Sequence, residues 1–302
     1  MKSFPLELDI QDERLTAVLD TSAPLQQIVS GLNFTEGPIW RDSNQSLIFS
    51  DIMGNTIYKY TESGGLEKFR VNSYMANGNT YDQAGRMLTC EHATSRLTRT
   101  GKDGRYEILA THYNGQQLNS PNDVVVKSDG TIYFTDPPGG RHPKYGIPRE
   151  PELPFNGVFR LDPETGELTL LVDDFVMPNG LCFSLDEQQL FINDTRRRHI
   201  RVFDVDERGL LRNGRLWAET KGQLPGVPDG MKIDMQGNIY CCGPGGIQLF
   251  DKEANCLGAI LTPEPTANFT FGDQDRQSLY ITASTSVYKL RTQVKGYLPW
   301  TI

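Results

Sequence analysis

The sequence predicts an all-β chain folded as a six-bladed β-propeller, with four-stranded antiparallel blades set around a central channel. Three observations carry this expectation. One pattern, a polar anchor followed by a short apolar strand, a tight turn and a second β-rich strand, is written six times along the 302 residues. The copies recur at a spacing that suits blades of four strands each. Apolar stripes of helical period are absent, which removes helix bundles and alternating α/β sheets.

The copies, in chain order, are EGPIWRDSNQSLIFSD from Glu36, NGNTYDQAGRMLTCE from Asn77 and NDVVVKSDGTIYFTD from Asn122, then NGLCFSLDEQQLFIND from Asn179, DGMKIDMQGNIYCC from Asp229 and NFTFGDQDRQSLYIT from Asn268. Asp129-Gly130 and Gln236-Gly237 supply hairpin-turn chemistry between their strands. Successive anchors lie 41, 45, 57, 50 and 39 residues apart. A β-sandwich is the rival all-β arrangement, but it does not require a repeated polar anchor. The last copy leaves few strands before the end of the chain. Residues 15–30 are therefore expected to complete the sixth blade and close the ring, which removes exposed sheet edges. Residues 1–14 are expected to be a polar extension with little structural duty, and residues 1–302 to form one propeller domain.

The longest spacing marks an insertion after Asp136, PPGGRHPKYGIPREPELPFNG, too rich in Pro and Gly to be a strand. It is either a lid over a site or a passive surface loop. Asp51, Glu91, Asp136 and Asp194 recur at one repeat position, and repetition in successive blades argues for a structural role such as capping a turn.

Bulk properties exclude several classes. The net charge of -8 disfavours nucleic acid, which demands clustered Lys and Arg. The one basic run, Arg196-Arg197-Arg198, reads as a solvated turn. No apolar run approaches the ~18 residues of a membrane span. The opening MKSFPLELDIQDERL lacks the apolar stretch of a secretory signal, so the cytoplasm is the expected location, with the periplasm as the alternative. The five cysteines contain no Cys-x-x-Cys, so neither a zinc knuckle nor a disulfide scaffold is supported. There is no Gly-x-Ser-x-Gly elbow and no dinucleotide fingerprint. A homodimer through an exposed blade is compatible with the sequence, although nothing marks the surface for it.

In a propeller the anchors begin the innermost strands and converge on the channel. Four share a form: Glu36-Gly37-Pro38, Pro121-Asn122-Asp123, Pro178-Asn179-Gly180 and Pro228-Asp229-Gly230. Two carboxylates close together are costly unless a cation lies between them. Oxygen donors without thiolate or imidazole select Ca²⁺, Mg²⁺ or Mn²⁺. The expected site is thus one divalent cation held by Glu36, Asn122, Asn179 and Asp229, with Ca²⁺ first and Mg²⁺, Mn²⁺ or Zn²⁺ as alternatives. Asp123 is expected to serve the turn or orient a neighbour.

The motifs FTEGPIW, LNSPNDVVVKSDGTIYFTDPP, MPNGLCFSLD and VPDGMKID occur in this order and resemble the gluconolactonase branch of the SMP-30/gluconolactonase/luciferin-regenerating-enzyme-like family. The resemblance covers roughly residues 17–289. It implies a six-bladed propeller with one divalent cation in the channel, on the same Glu36, Asn122, Asn179 and Asp229. It also implies hydrolysis of a sugar lactone, with glucono-1,5-lactone opening to gluconate, and the chemistry of the site makes Asp229 the candidate general base for the attacking water. One departure stands out: Ser120 occupies the place where members resembling the senescence-marker branch carry an arginine. Further candidates for substrate contact are Asn77, His92, Asn119 and, in the insertion, Arg141 and Tyr145. The partner implied is a small-molecule lactone, with neither nucleic acid nor membrane. Another lactone, a phosphotriester, or a non-enzymatic Ca²⁺-binding propeller are the competing readings.

Overall fold

In the computed structural model, which describes residues 2–299, strands dominate and are grouped in six antiparallel blades. Blade one comprises Thr35–Arg41, Ser46–Asp51, Thr56–Thr61 and Gly65–Val71. Blade two comprises Ala76–Tyr81, Met87–Glu91, Arg96–Thr100 and Tyr106–Ala110. Blade three is Val124–Val126, Ile132–Asp136, Asn156–Leu161 and Leu168–Phe175, and blade four is Pro178–Phe183, Gln189–Asp194, His199–Val205 and Leu211–Glu219. Blade five runs Met231–Ile233, Ile239–Gly243, Gly246–Phe250 and Cys256–Leu261. Blade six takes Thr266–Gly272, Ser278–Ala283 and Ser286–Arg291 from the end of the chain and Leu25–Val29 from its beginning. Neighbouring innermost strands touch, and the sixth returns to the first, so the ring is closed.

The apolar alternation of each strand supplies the glue between blades. Each of six buried clusters sits between two neighbours. At the closing junction Trp40 of blade one stacks on Tyr280 of blade six with ring centroids 5.0 Å apart. Burial falls outward, from fully buried second strands such as Ser46–Asp51 to the exposed outer strand Gly65–Val71.

The beginning of the chain does more than extend into solvent. Lys2–Phe4 pairs with Leu25–Val29, and Glu7–Ile10 pairs with Cys256–Leu261, so each adds a fifth strand to a blade edge. A short helix, Arg14–Val18, buries Leu15 and Val18 in the cluster between blades five and six. Phe4, Leu6 and Leu8 pack against the same cluster, and the expectation of little structural duty is corrected accordingly.

Candidate functional site

Three consecutive residues at the top of a blade's second strand do three separate jobs. The last strand residue is the recurring acid, and its carboxylate accepts backbone N–H groups just ahead of the same blade's anchor. Asp51 accepts from Asn33 and Phe34, Asp136 from Asn119 and Ser120, and Asp194 from Val176 and Met177. These N–H groups lie two and three residues before Glu36, Asn122 and Asn179, so each acid fixes where an anchor enters the channel. The residue before the acid latches the next blade: Ser50 Oγ donates to the Asn77 carbonyl at 2.8 Å and Thr135 Oγ1 to the Asn179 carbonyl at 2.9 Å. Asn193 Nδ2 donates to the Asp229 carbonyl at 2.5 Å. The residue after the acid, Ile52, His92 or Thr195, faces the axial cavity. Glu91 departs from this scheme, because its longer side chain turns outward to Thr94, Thr98 and Tyr106.

The glycines after the anchors answer to packing at the axis. A Cβ on Gly37 would lie 2.0 Å from the Asn77 carbonyl oxygen, and one on Gly180 would lie 2.1 Å from that of Asp229. Backbone approaches backbone there, and only glycine admits it.

The anchors Glu36, Asn77, Asn122, Asn179 and Asp229 all line one cavity of about 520 Å³. Glu36 and Asn122 are buried and Asp229 is half-buried. Burial, with Asp123 nearby, pushes the Glu36 carboxyl up to about 7. Burial and the neighbouring Glu36 and Asp123 hold Asp229 well above the usual carboxylate range. The Asn122 amide forms no hydrogen bond on its side chain among the described residues. Asn179 Nδ2 donates to Thr195 Oγ1 at 3.0 Å. The nearest ammonium, Lys232, reaches Asn268 Oδ1 at 3.2 Å rather than either anchor carboxylate. This donor set, two mutually repelling carboxylates among amide oxygens, fits a hard divalent cation. No group of three or more His, Cys, Asp or Glu converges among the described residues, so amide oxygens must complete any such site.

Of the residues expected to contact substrate, Asn77, His92 and Tyr145 line the cavity. Asn119 and Arg141 do not. Asn119 is fully buried and its amide donates to the Asp136 and Phe155 carbonyls. Arg141 spends its guanidinium on the carbonyls of Leu118, Asn119 and Glu150. Both hold the insertion against blade three. His92 is no free acid–base group either, since its Nδ1 lies 2.9 Å from the Tyr145 carbonyl and its Nε2 lies 3.0 Å from Asn77 Nδ2. Ser120 accepts from Gly140 N–H at 2.8 Å, so the insertion occupies the space above it. Gly139 and Tyr145 of that insertion form cavity wall, with Tyr145 packed 5.0 Å from the Phe34 ring.

Asn268 sits one residue out of register with the other anchors. Gly78 N–H donates to the Asn122 carbonyl and Gly230 N–H donates likewise to Ala267, which makes Ala267 the equivalent position. Asn268 instead supports Glu36, donating Nδ2 to its Oε2 at 3.0 Å. Arg196 and Arg198, expected as a solvated turn, line the cavity mouth, while Arg197 turns away to Asp194 and the Asp174 carbonyl. Thr195 was likewise missed, although the repeat register places it beside His92 and Ile52.

Fold and site together define a six-bladed propeller with an oxygen-lined axial pocket. The chain belongs to the SMP-30/gluconolactonase/LRE-like family, whose characteristic region matches residues 34–285. It is 35% identical to a gluconolactonase of Zymomonas mobilis over 94% of this chain and 85% of that one. A pentonolactonase of Haloferax volcanii is 25% identical over 89% of this chain and 85% of its own length. The solved structure of a gluconolactonase from Xanthomonas campestris superposes with a TM-score of 0.88 at 34% identity, covering 97% of this chain and 98% of the other.

Proposed function

We propose that the chain is a divalent-cation-dependent sugar lactone hydrolase that opens D-glucono-1,5-lactone to gluconate. The observation that carries this reading is the meeting of Glu36, Asn122, Asn179 and Asp229 in one cavity large enough for a hexose lactone. Family membership and the gluconolactonase relatives support the reaction class. A cation held by those four side chains, with Ca²⁺ the expected ion, would supply Lewis acidity toward the lactone carbonyl oxygen.

The residues of the chain do the rest. Asp229 takes a proton from the water that attacks the carbonyl carbon, and the ring C–O bond breaks. The same carboxyl returns its proton to the departing alkoxide, so the products are the hydroxy acid and an unchanged enzyme. Asn179 keeps its NH₂ on Thr195 Oγ1, which leaves its amide oxygen for the axis. Tyr145 and Phe34 form an aromatic wall beside the pocket, while Arg196 and Arg198 offer donors at its mouth for ring hydroxyls.

The apolar part of the lining, with Ile52, Met177 and Val227, favours a second reading in which the substrate is a lactone bearing an alkyl portion. The test is turnover of gluconolactone, an aliphatic lactone and a phosphotriester, before and after chelation. Gluconolactone hydrolysis that is lost on chelation and restored by Ca²⁺ is expected. Asp229→Asn is expected to lose at least about 100-fold in kcat. Inactivity on every lactone would sink the proposal.

A further inference from the structure

Six residues hold equivalent places at the tops of the innermost strands: Glu36, Asn77, Asn122, Asn179, Asp229 and Ala267. Their equivalence is written in the backbone. Gly78 donates to the next anchor's carbonyl, that of Asn122, at 2.9 Å and Gly230 to that of Ala267 at 2.8 Å, while Gly37 and Gly180 lie against the carbonyl oxygens of Asn77 and Asp229. Four of the six are the proposed cation ligands, and alanine has no donor to offer. Asn77 remains.

The orientation of its amide is determined. A backbone carbonyl can only accept, so His92 Nδ1, 2.9 Å from the Tyr145 carbonyl, must carry the ring proton. The group 3.0 Å from the other ring nitrogen, Nε2, is the NH₂ of Asn77, which can only donate, so Nε2 is the accepting nitrogen. The Asn77 oxygen points the other way. It is buried, has no hydrogen-bond partner, and belongs to a side chain that lines the axial cavity. A buried acceptor left without a partner costs about 1–3 kcal/mol unless something fills the place.

We infer that Asn77 Oδ1 is a fifth protein oxygen for the axial cation, locked toward the axis by His92; this rests on the cation-dependent reading above. A substrate hydroxyl is the poorer occupant, because Oδ1 is sealed from solvent whereas the cavity that substrate must enter is open. Ca²⁺ takes six to eight oxygens, so five from protein leave one to three for water and substrate.

The test is calorimetric titration of CaCl₂ into chelator-stripped protein, with the thermal midpoint in chelator as the control for folding. Asn77→Ala is expected to raise Kd for Ca²⁺ by at least about tenfold, and His92→Phe, which frees the amide to rotate, by a smaller factor. An Asn77→Ala Kd within twofold of wild type overturns the assignment, and a fall in kcat/KM alone would move Asn77 to the substrate. Should Asn77→Ala fail to fold, Asn77→Asp keeps the volume and adds a charged oxygen. A Kd below wild type then supports the assignment, and an unchanged or raised one overturns it. Wild-type protein that binds no Ca²⁺ would instead sink the parent reading, a result distinct from tight binding that ignores Asn77.

Discussion

Asn179 can serve a cation only if its carbonyl oxygen rather than its NH₂ faces the axis, and one hydroxyl decides this. Thr195 Oγ1 lies 2.8 Å from the Pro228 carbonyl, which can only accept, so the hydroxyl proton is committed there. Its oxygen is then left to accept from Asn179 Nδ2 at 3.0 Å. Thr195→Val keeps the shape and removes the decision. The expected result is a Ca²⁺ affinity lower by on the order of 10-fold, with kcat recovered when Ca²⁺ is raised to saturation. A kcat that stays low at saturating Ca²⁺ would show that Thr195 acts on the substrate instead. The four acidic and amide anchors were legible in the sequence because each repeats a local signature, Pro or Gly beside one polar residue. Thr195, Arg196 and Arg198 were not, because a threonine and two arginines in a turn look like solvated surface. Only the repeat register, carried one residue past Asp194, places Thr195 on the cavity with His92 and Ile52.

At the scale of the strand, the acid that ends the second strand of blades one, three and four is what aims their anchors. Asp194 accepts backbone N–H groups from Val176 and Met177 on one side and from Arg196 and Arg197 on the other. Asp194→Ala removes the acceptor of all four at once. Val176, Arg196 and Arg197 are exposed and water takes up part of the loss, so the cost should be about 1–3 kcal/mol. Denaturant unfolding reads that cost, and a loss under about 1 kcal/mol would remove Asp194 from this role. The weakened clamp should also lower Ca²⁺ affinity, since Asn179 follows Met177 by two residues. The hairpins and their number were legible because every blade needs the same turn and the same inward-facing anchor. The strands of residues 2–10 were not: at three and four residues, with Pro5 between them, Lys2–Phe4 and Glu7–Ile10 are too short for their alternation to mark a strand. The register of blade six also slipped, because Asn268 presents the expected residue type one place beyond the equivalent Ala267.

Taken as a whole, the molecule closes six sheets around an axis and gathers acids there, and that arrangement ties stability to pH and, on the proposed reading, to a bound cation. The ordinary carboxyl value for Glu36 is 4.5 and burial lifts it to about 7, with Asp229 lifted further in the same direction. Without a cation, the folded state keeps protons across that window that the unfolded chain has already released. Stability therefore falls as pH rises from about 4.5 through 7, the direction required when the native state binds more protons. A divalent cation needs the ionised carboxylates, so protons and cation compete, and its binding strengthens over the same window. Asp136 is also lifted to about 7 by burial, but it clamps the backbone of blade three and does not line the cavity. Its effect on the melting temperature is common to protein with and without cation and cancels in the difference. The expectation is thus a Ca²⁺-induced rise in Tm that is larger at pH 7.5 than at pH 5. At one hundred times Kd, binding adds about 2.7 kcal/mol, enough to move the Tm of a chain this size by roughly 5 °C. Thermal melts at the two pH values, with chelator and with CaCl₂, read the difference directly. An equal rise at both would mean that Glu36 and Asp229 do not exchange protons for the cation, and that the ring of blades is held at its centre by something else.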